Sequence, residues 1–240
     1  MTVSSVKGML FIVPSRNRPH NVRDLIEEWC EVTYDADLLI AVDNDDPMLD
    51  RYKEVEQEFA DDALGILPFY YGPRKRLGPT LNYLAVEYSE YYWAIGFMGD
   101  DHRPRTAGWD VAYKNTLVDL GSGFVYGNDL LQGENIPTQI AITSDIIGAM
   151  GYMVPPKCTH LYFDNMWKIL GKELGRIKYL PDVIVEHMHP IAGKADVDDG
   201  YVEVNSPQMY AHDLEEFNKW VTDDMPDVMV KLRKMMEEKA

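Results

Sequence analysis

Short apolar blocks separated by stretches in helical rhythm dominate the first hundred positions. Met9-Leu10-Phe11-Ile12-Val13 runs unbroken to Pro14, and Leu38-Leu39-Ile40-Ala41-Val42 does the same before Asp43. Ile66 to Tyr71 and Tyr92 to Met98 predict two further strands. Between these blocks, Leu25, Ile26 and Trp29 recur at helical spacing after Pro19 and Asn21. Leu49, Tyr52, Val55 and Phe59 predict a second helix over 48–59, and Leu81, Leu84, Ala85 and Tyr88 a third. Continuous apolar strands alternating with helices predict an α/β fold, a Rossmann-like and mostly parallel sheet flanked by helices on both faces.

The second half is less regular. Phe124 to Tyr126 and Gln139 to Thr143 read as strands, and Ser144-Asp145 offers an N-cap for a short helix through Met150. A helix is predicted over 162–174, with strands near 176–180 and 183–185. Residues 193–205 are acidic and contain glycine, the composition of a flexible segment or lid. From Gln208 the pattern gives two amphipathic helices broken near Pro226, a C-terminal helical appendage over 206–240.

Composition narrows the function classes. At 240 residues and 46% hydrophobic content the chain can fill one ordinary core. The net charge of -17, from 40 acidic against 23 basic residues, repels phosphate backbones and anionic membranes and counts against bulk nucleic-acid binding. No stretch approaches the roughly 18 consecutive apolar residues of a membrane span. The first residues lack the basic region and cleavage site of a secretory signal, and Cys30 and Cys158 make no disulfide framework or zinc motif. A cytoplasmic protein is expected. Against this acidic background the basic run Arg74-Lys75-Arg76 stands out, either as a solvated turn or as a patch for a small phosphorylated ligand.

In parallel sheets of this kind ligands collect outside the carboxyl ends of the strands. Three polar clusters fall there: Ser15-Arg16-Asn17-Arg18, Asp43-Asn44-Asp45-Asp46 and Gly99-Asp100-Asp101-His102. Adjacent carboxylates with an imidazole can bind a divalent cation, and a cation there can bridge the phosphates of a nucleoside diphosphate. An Asp-Asp turn beside a solvated histidine is the plainer alternative. Late in the chain, His187 and His189 in Glu186-His187-Met188-His189-Pro190 share one face at strand spacing. They are a usable pair of metal nitrogens, or else a surface or acceptor-binding feature. Trp109, just past the acidic motif, is placed to stack on a sugar, while most other aromatics suit the core.

The order Pro14-Ser15-Arg16-Asn17-Arg18-Pro19, strand-Asp43, Gly78-Pro79-Thr80-Leu81-Asn82 and Phe97-Met98-Gly99-Asp100-Asp101-His102 resembles the nucleotide-sugar-binding half of GT-A glycosyltransferases, in particular inverting, family-2-like members. It covers residues 8 to 110 well and extends loosely to about 190. The resemblance implies a catalytic domain over 1–205, with a nucleotide-sugar half at 1–110 and an acceptor half at 111–205. It implies donor contacts from Pro14, Ser15, Arg16, Arg18, Asp43, Gly78, Asn82, Gly99 and Asp100. Asp101 falls where the metal-binding aspartate is expected, and His187 or His189 would complete the shell of a Mn2+ or Mg2+ ion. Asp164 would be the base that deprotonates an acceptor hydroxyl; read on its own it is a residue favouring its helix N-terminus.

The chain departs from that pattern at two points. Gly99 stands where an Asp-x-Asp motif has its first aspartate, so Asp100 or His102 would have to compensate. Leu81-Asn82 replaces an Arg-Asn pair whose arginine meets the diphosphate, leaving Arg74, Lys75 or Arg76 to take its place. The expected reaction is transfer of a sugar from a nucleotide-diphospho-sugar, a UDP-sugar by preference, to an acceptor of unassigned class. A nucleotidyltransferase shares such a sheet, but its glycine-rich basic loop is missing after the first strand. A non-catalytic nucleotide- or glycan-binding module is the other alternative.

Overall fold

The computed structural model describes residues 7–60, 65–194 and 196–239. Its first half is the predicted alternation: β1 (Lys7–Ser15), α1 (Pro19–Val32), β2 (Asp37–Asp43), α2 (Leu49–Glu58), β3 (Tyr70–Gly72), α3 (Leu77–Tyr88) and β4 (Tyr92–Phe97). There follow β5 (His102–Pro104), α4 (Trp109–Leu120), β6 (Phe124–Asn128), β7 (Ile140–Thr143), α5 (Ser144–Met150), α6 (Phe163–Leu174) and β8 (Ile177–His187). A 3-10 turn (Pro190–Ala192), α7 (Asp199–Val204), α8 (Pro207–Lys219), a π-helical turn (Trp220–Asp224) and α9 (Met225–Glu237) complete the chain.

The strands form one sheet in the order β3-β2-β1-β4-β7-β6-β8-β5. β1 pairs in parallel with β2 and β4, and β2 in parallel with β3. β7 enters antiparallel against β4, so the sheet changes character next to the strand that carries the acidic motif. The inward alternation of β1 explains both layers. Leu10 and Ile12 face α3, α5, α6 and the C-terminal helices, whereas Met9, Phe11 and Val13 face α1, α2 and α4. Gly96 is required between them, because a Cβ there would lie 2.3 Å from the Phe11 ring.

Several elements depart from the sequence-based expectation. The third strand is shorter than 66–71: only Ile66 bridges Leu38 before Tyr70, since Pro68 has no N–H to give a ladder. The two strands expected near 176–185 are one strand, which pairs with β6 and then, past an irregularity at Gly127/Asn128, with β5. The acidic 193–205 segment contains the helix α7. α4 was not foreseen, and it changes the reading of Trp109. That ring is fully buried, edge-on to Phe11, Trp29 and Tyr113, so it packs in the core instead of facing a sugar. Pro226 falls in the first turn of α9, directly after the π-helical turn Trp220–Asp224, so the helical run passes through it instead of breaking there. Phe217, Trp220, Val228, Met229 and Leu232 carry the C-terminal helices into the main core. No helix among the described residues is long and apolar enough to cross a membrane.

Candidate active site

The carboxyl ends of β1, β2 and β4 meet at one edge, tied together by hydrogen bonds that fix the polar clusters. Ser15 Oγ donates to Asp100 Oδ2 at 2.5 Å and takes the Tyr52 hydroxyl at 2.8 Å. The Arg18 N–H donates to that same Tyr52 oxygen at 2.9 Å. Asp46 accepts the N–H groups of Asn17 and Met48, locking the loop after β1 to the loop after β2. Arg16 pairs with Asp43 at 2.9 Å and Asp45 at 2.7 Å. Burial raises the Asp43 carboxyl even though Arg16 pulls the other way.

The adjacent aspartates differ in environment. Asp100 is almost fully buried, and burial with the neighbouring Asp101 charge pushes its carboxyl up to about 6, against the opposing pull of Arg18, Ser15 and Asn21. Asp101 projects instead toward two histidines: its Oδ1 lies 3.3 Å from His102 Nδ1 and its Oδ2 lies 3.4 Å from His187 Nε2. Burial opposes the Asp101 charge, but the imidazoles more than offset it and hold the carboxyl well below its usual range. Burial and the neighbouring His187 lower His102, against the opposing pull of Asp101.

Sheet register delivers the second histidine. His102 and His187 are directly opposed in the β5–β8 pair, and their rings stack at 4.2 Å. The Met188 N–H donates to Asp101 O at 2.8 Å, fastening the end of β8 to the turn after β4. His189 lies edge-on to His187 at 4.8 Å, and its Nδ1 accepts the Ile191 N–H.

Asp101, His102 and His187 offer ligand atoms within 4.8 Å of one another. With metal–ligand bonds of about 2.1 Å, neighbouring ligands stand roughly 3–3.5 Å apart, which is the spacing of Asp101 and His187. His102 Nδ1 is also the acceptor for the Gly99 N–H at 3.1 Å, so its lone pair is engaged within the turn. His187 is the better-placed nitrogen. Its other ring nitrogen, Nδ1, is buried without a hydrogen-bond partner and faces Asp129 Oδ2 at 3.9 Å. A carboxylate behind a ligating imidazole fixes its tautomer and strengthens the ligand. The donor set and that orphaned nitrogen therefore fit a divalent cation between Asp101 and His187.

Other expected site residues lie elsewhere in the same region. Asn82 is fully engaged by the loop after α5: its Oδ1 accepts Met153 and Val154 N–H, and its Nδ2 donates to Val154 O. Gly78 sits under the loop before α6, where a Cβ would come 2.4 Å from Cys158 O. Both position the loop between α5 and α6. Arg76 opens α3 with φ 74° and forms an ion pair with Glu203. Asp164 stands in the first turn of α6, accepting the Asn165 N–H, and burial raises its carboxyl to about 6.

Sequence reasoning passed over three residues that shape the site. His160 lies just before α6, pushed down to about 4 by burial, within electrostatic reach of Arg18, Arg76 and Asp101. Asp213 on α8 is fully buried and accepts the N–H groups of Thr159, His160 and Leu161 at 2.9, 2.7 and 2.7 Å. Asp129 accepts three more, from Leu131, Gln132 and Gly133. An isolated aspartate in an acidic chain carries no sequence signal that separates these from solvated ones. A cleft of about 680 Å³ opens beside Asp101, bounded by Arg18, Asn21, Arg103, Asp198 and Tyr201.

No protein-family profile matches the chain, and no curated protein matches it. Solved structures do. A mannosyltransferase from Pyrobaculum calidifontis, PcManGT, in complex with GDP-Man and Mn2+, superposes with a TM-score of 0.56 at 11% identity, covering 96% of this chain and 74% of that one. The crystal structure of S. aureus TarS gives a TM-score of 0.54 at 11% identity, covering 91% of this chain; the chain spans only 44% of TarS. The fold is that of the GT-A nucleotide-sugar glycosyltransferases.

Proposed function

We propose that this protein is a metal-dependent, inverting glycosyltransferase that moves a sugar from a nucleotide-diphospho-sugar to an acceptor hydroxyl. The observation that carries the reading is the Asp101–His187 pair, 3.4 Å apart at the carboxyl end of β4, in a fold shared with an enzyme bound to GDP-Man and Mn2+. Residues 1–110 would supply the donor half, with Ser15, Arg16, Arg18 and Asp43 around the nucleoside and diphosphate. Residues 111–205 would supply the acceptor half, and 206–240 the helices that brace it. Two cysteines in 240 residues make no disulfide framework of the kind secreted domains carry, and the cytoplasm is the proposed setting.

A bound divalent cation supplies charge neutralisation to a leaving diphosphate, and Asp101 with His187 would hold it. The remaining chemistry falls to the protein's own groups. The acceptor oxygen forms a bond to the anomeric carbon as the bond to the diphosphate oxygen breaks, and the hydroxyl proton passes to the Asp164 carboxylate. A base is useful only when ionised at working pH and within reach of that proton. A carboxyl raised to about 6 by burial meets the first condition at neutral pH while being a stronger base than a solvated aspartate. Asp100, held by Ser15 and Arg18, orients the turn that presents Asp101.

The test is a thermal-shift panel of UDP-, GDP-, CMP- and dTDP-sugars with and without Mn2+. A ligand at a hundred times its Kd adds about 2.7 kcal/mol to stability, or roughly 5–10 °C for a chain of this length. A rise that requires Mn2+ with at least one sugar nucleotide is expected, followed by release of the nucleoside diphosphate when acceptors are added. A panel in which no sugar nucleotide gives a metal-dependent shift would overturn the assignment.

A further inference from the structure

Three basic side chains at the donor end, Arg18, Arg74 and Arg76, each find a partner in one segment. Asp198 grips the Arg18 guanidinium with both oxygens, at 2.6 and 2.7 Å. Glu203 reaches Arg76 at 2.5 Å and Arg74 at 3.3 Å. Both carboxylates belong to the strap formed by 196–205, with Asp198 immediately before α7 and Glu203 near its end. The strap also reaches the neighbour of the candidate metal site, since Tyr201 lies edge-on to His189 at 5.4 Å, and His189 packs on His187.

A fork of two guanidinium nitrogens on two carboxylate oxygens is the geometry with which arginine also binds phosphate. We propose that Arg18, Arg74 and Arg76 form a diphosphate-binding set that the acidic strap occupies in the ligand-free chain, so that donor binding and strap release are coupled. This rests on the donor reading above and goes beyond it by naming the cations and their built-in competitor. Three features support it. Arg76 holds φ 74° and ψ 171°, a region that is costly for any residue but glycine and tends to persist where function requires it. The ties are part-exposed ion pairs: Glu203 and Arg76 are 45% and 40% exposed. Such single-contact pairs are individually weak and readily exchanged, whereas the Asp198 fork on Arg18 is the stronger tie. Finally, few apolar side chains bind the strap down: Val202 is 59% exposed and Val197 61%. A nucleoside diphosphate, bringing more negative charge than the strap's two carboxylates together, would displace Asp198 and Glu203 and free α7 to re-dock over the bound donor.

Inorganic pyrophosphate, free of metal and at fixed ionic strength, is the direct probe, titrated calorimetrically into wild type and Asp198→Asn/Glu203→Gln. Both substitutions retain shape, and the amide oxygen that Asp198→Asn leaves in place can still cap α7. The double variant should bind pyrophosphate about tenfold more tightly, the scale of one charge pair no longer competing. In wild type, pyrophosphate should also expose 196–205 to limited proteolysis. Equal, weaker or undetectable binding in the double variant overturns the proposal. The two readings separate in a parallel titration with sugar nucleotides. If those bind neither protein while the pyrophosphate gain holds, the donor reading fails and the strap stands; if they bind both equally tightly, the strap fails and the donor reading stands.

Discussion

Replacing Asp213 with alanine should unsettle the loop before α6 more than any other single change on α8. The carboxylate is fully buried and receives the Thr159, His160 and Leu161 N–H groups. Hydrogen bonds to a charged acceptor contribute about 1.5–3 kcal/mol each, and buried donors left without partners cost about 1–3 kcal/mol. The loop is half-buried, so water can reach part of what the carboxylate abandons, and the three bonds do not add in full. About 3–5 kcal/mol of lost stability is expected, equivalent to a fall in Tm of roughly 10 °C. Asp213→Asn keeps one carbonyl oxygen and should lose about half as much. The check is urea unfolding followed by circular dichroism, with the slope unchanged so that the midpoint reports stability. The backbone N–H groups hold the Asp213 carboxyl below its ordinary value. Its contribution is therefore full above the unfolded carboxylate pKa, about 3.9, and is lost as pH falls through the folded value. The difference between wild type and Asp213→Ala should thus be constant from about pH 7 to 5 and shrink below about pH 4. A loss under about 1 kcal/mol at pH 7, or a difference that grows on acidification, would refute the reasoning.

Two further predictions concern the chemistry. His187→Ala should weaken Mn2+ binding more than about a hundredfold, and Asp129→Asn, which removes the carboxylate behind the ring, about 10–100-fold; titration of free Mn2+ by electron paramagnetic resonance reads both, and wild-type affinity in His187→Ala would remove it as a ligand. With a substrate pair in hand, Asp164→Asn should lower kcat by about 10²–10⁴ with donor KM little changed. Because burial raises Asp164 to about 6, wild-type kcat/KM should fall about tenfold per unit below pH 6, and survival of that acid limb in Asp164→Asn would assign it to another group.

The parts of the fold legible in the sequence are those where one physical rule acts alone. β1, β2 and β4 are buried on both faces, so nothing interrupts their apolar runs, and each ends where polar residues reach the sheet edge. β5 escaped notice because three residues, His102–Pro104, carry no periodicity and share their sequence with the acidic motif. α4 escaped because its buried face includes a charge: Asp110, at 0% exposure, accepts the N–H groups of Tyr34, Asp35 and Ala36. Asp110, Asp129 and Asp213 use one device, a buried carboxylate closing a backbone turn, and in an acidic chain each reads as surface charge. His187 was legible as a candidate, but its pairing with His102 depends on a register that only the folded β8 establishes.

That register also bears on how a motif lacking its first aspartate would present a metal ligand. Asp100 and Asp101 are neighbours in sequence and opposite in environment. Asp100 is drawn into the sheet edge by Ser15 and Arg18, where burial and the Asp101 charge favour its protonated form near pH 6. Asp101 turns away and keeps its charge against the imidazoles of β5 and β8. Two neighbouring carboxylates are thereby separated by environment, one anchoring the turn and the other facing the imidazoles. A second carboxylate ligand at position 99 would have to enter space already filled, since a Cβ on Gly99 would lie 2.5 Å from Asp101 Oδ1. The glycine at that position suits the way Asp101 folds back toward His102, and His187, across the sheet, would stand in for the ligand missing from the sequence motif.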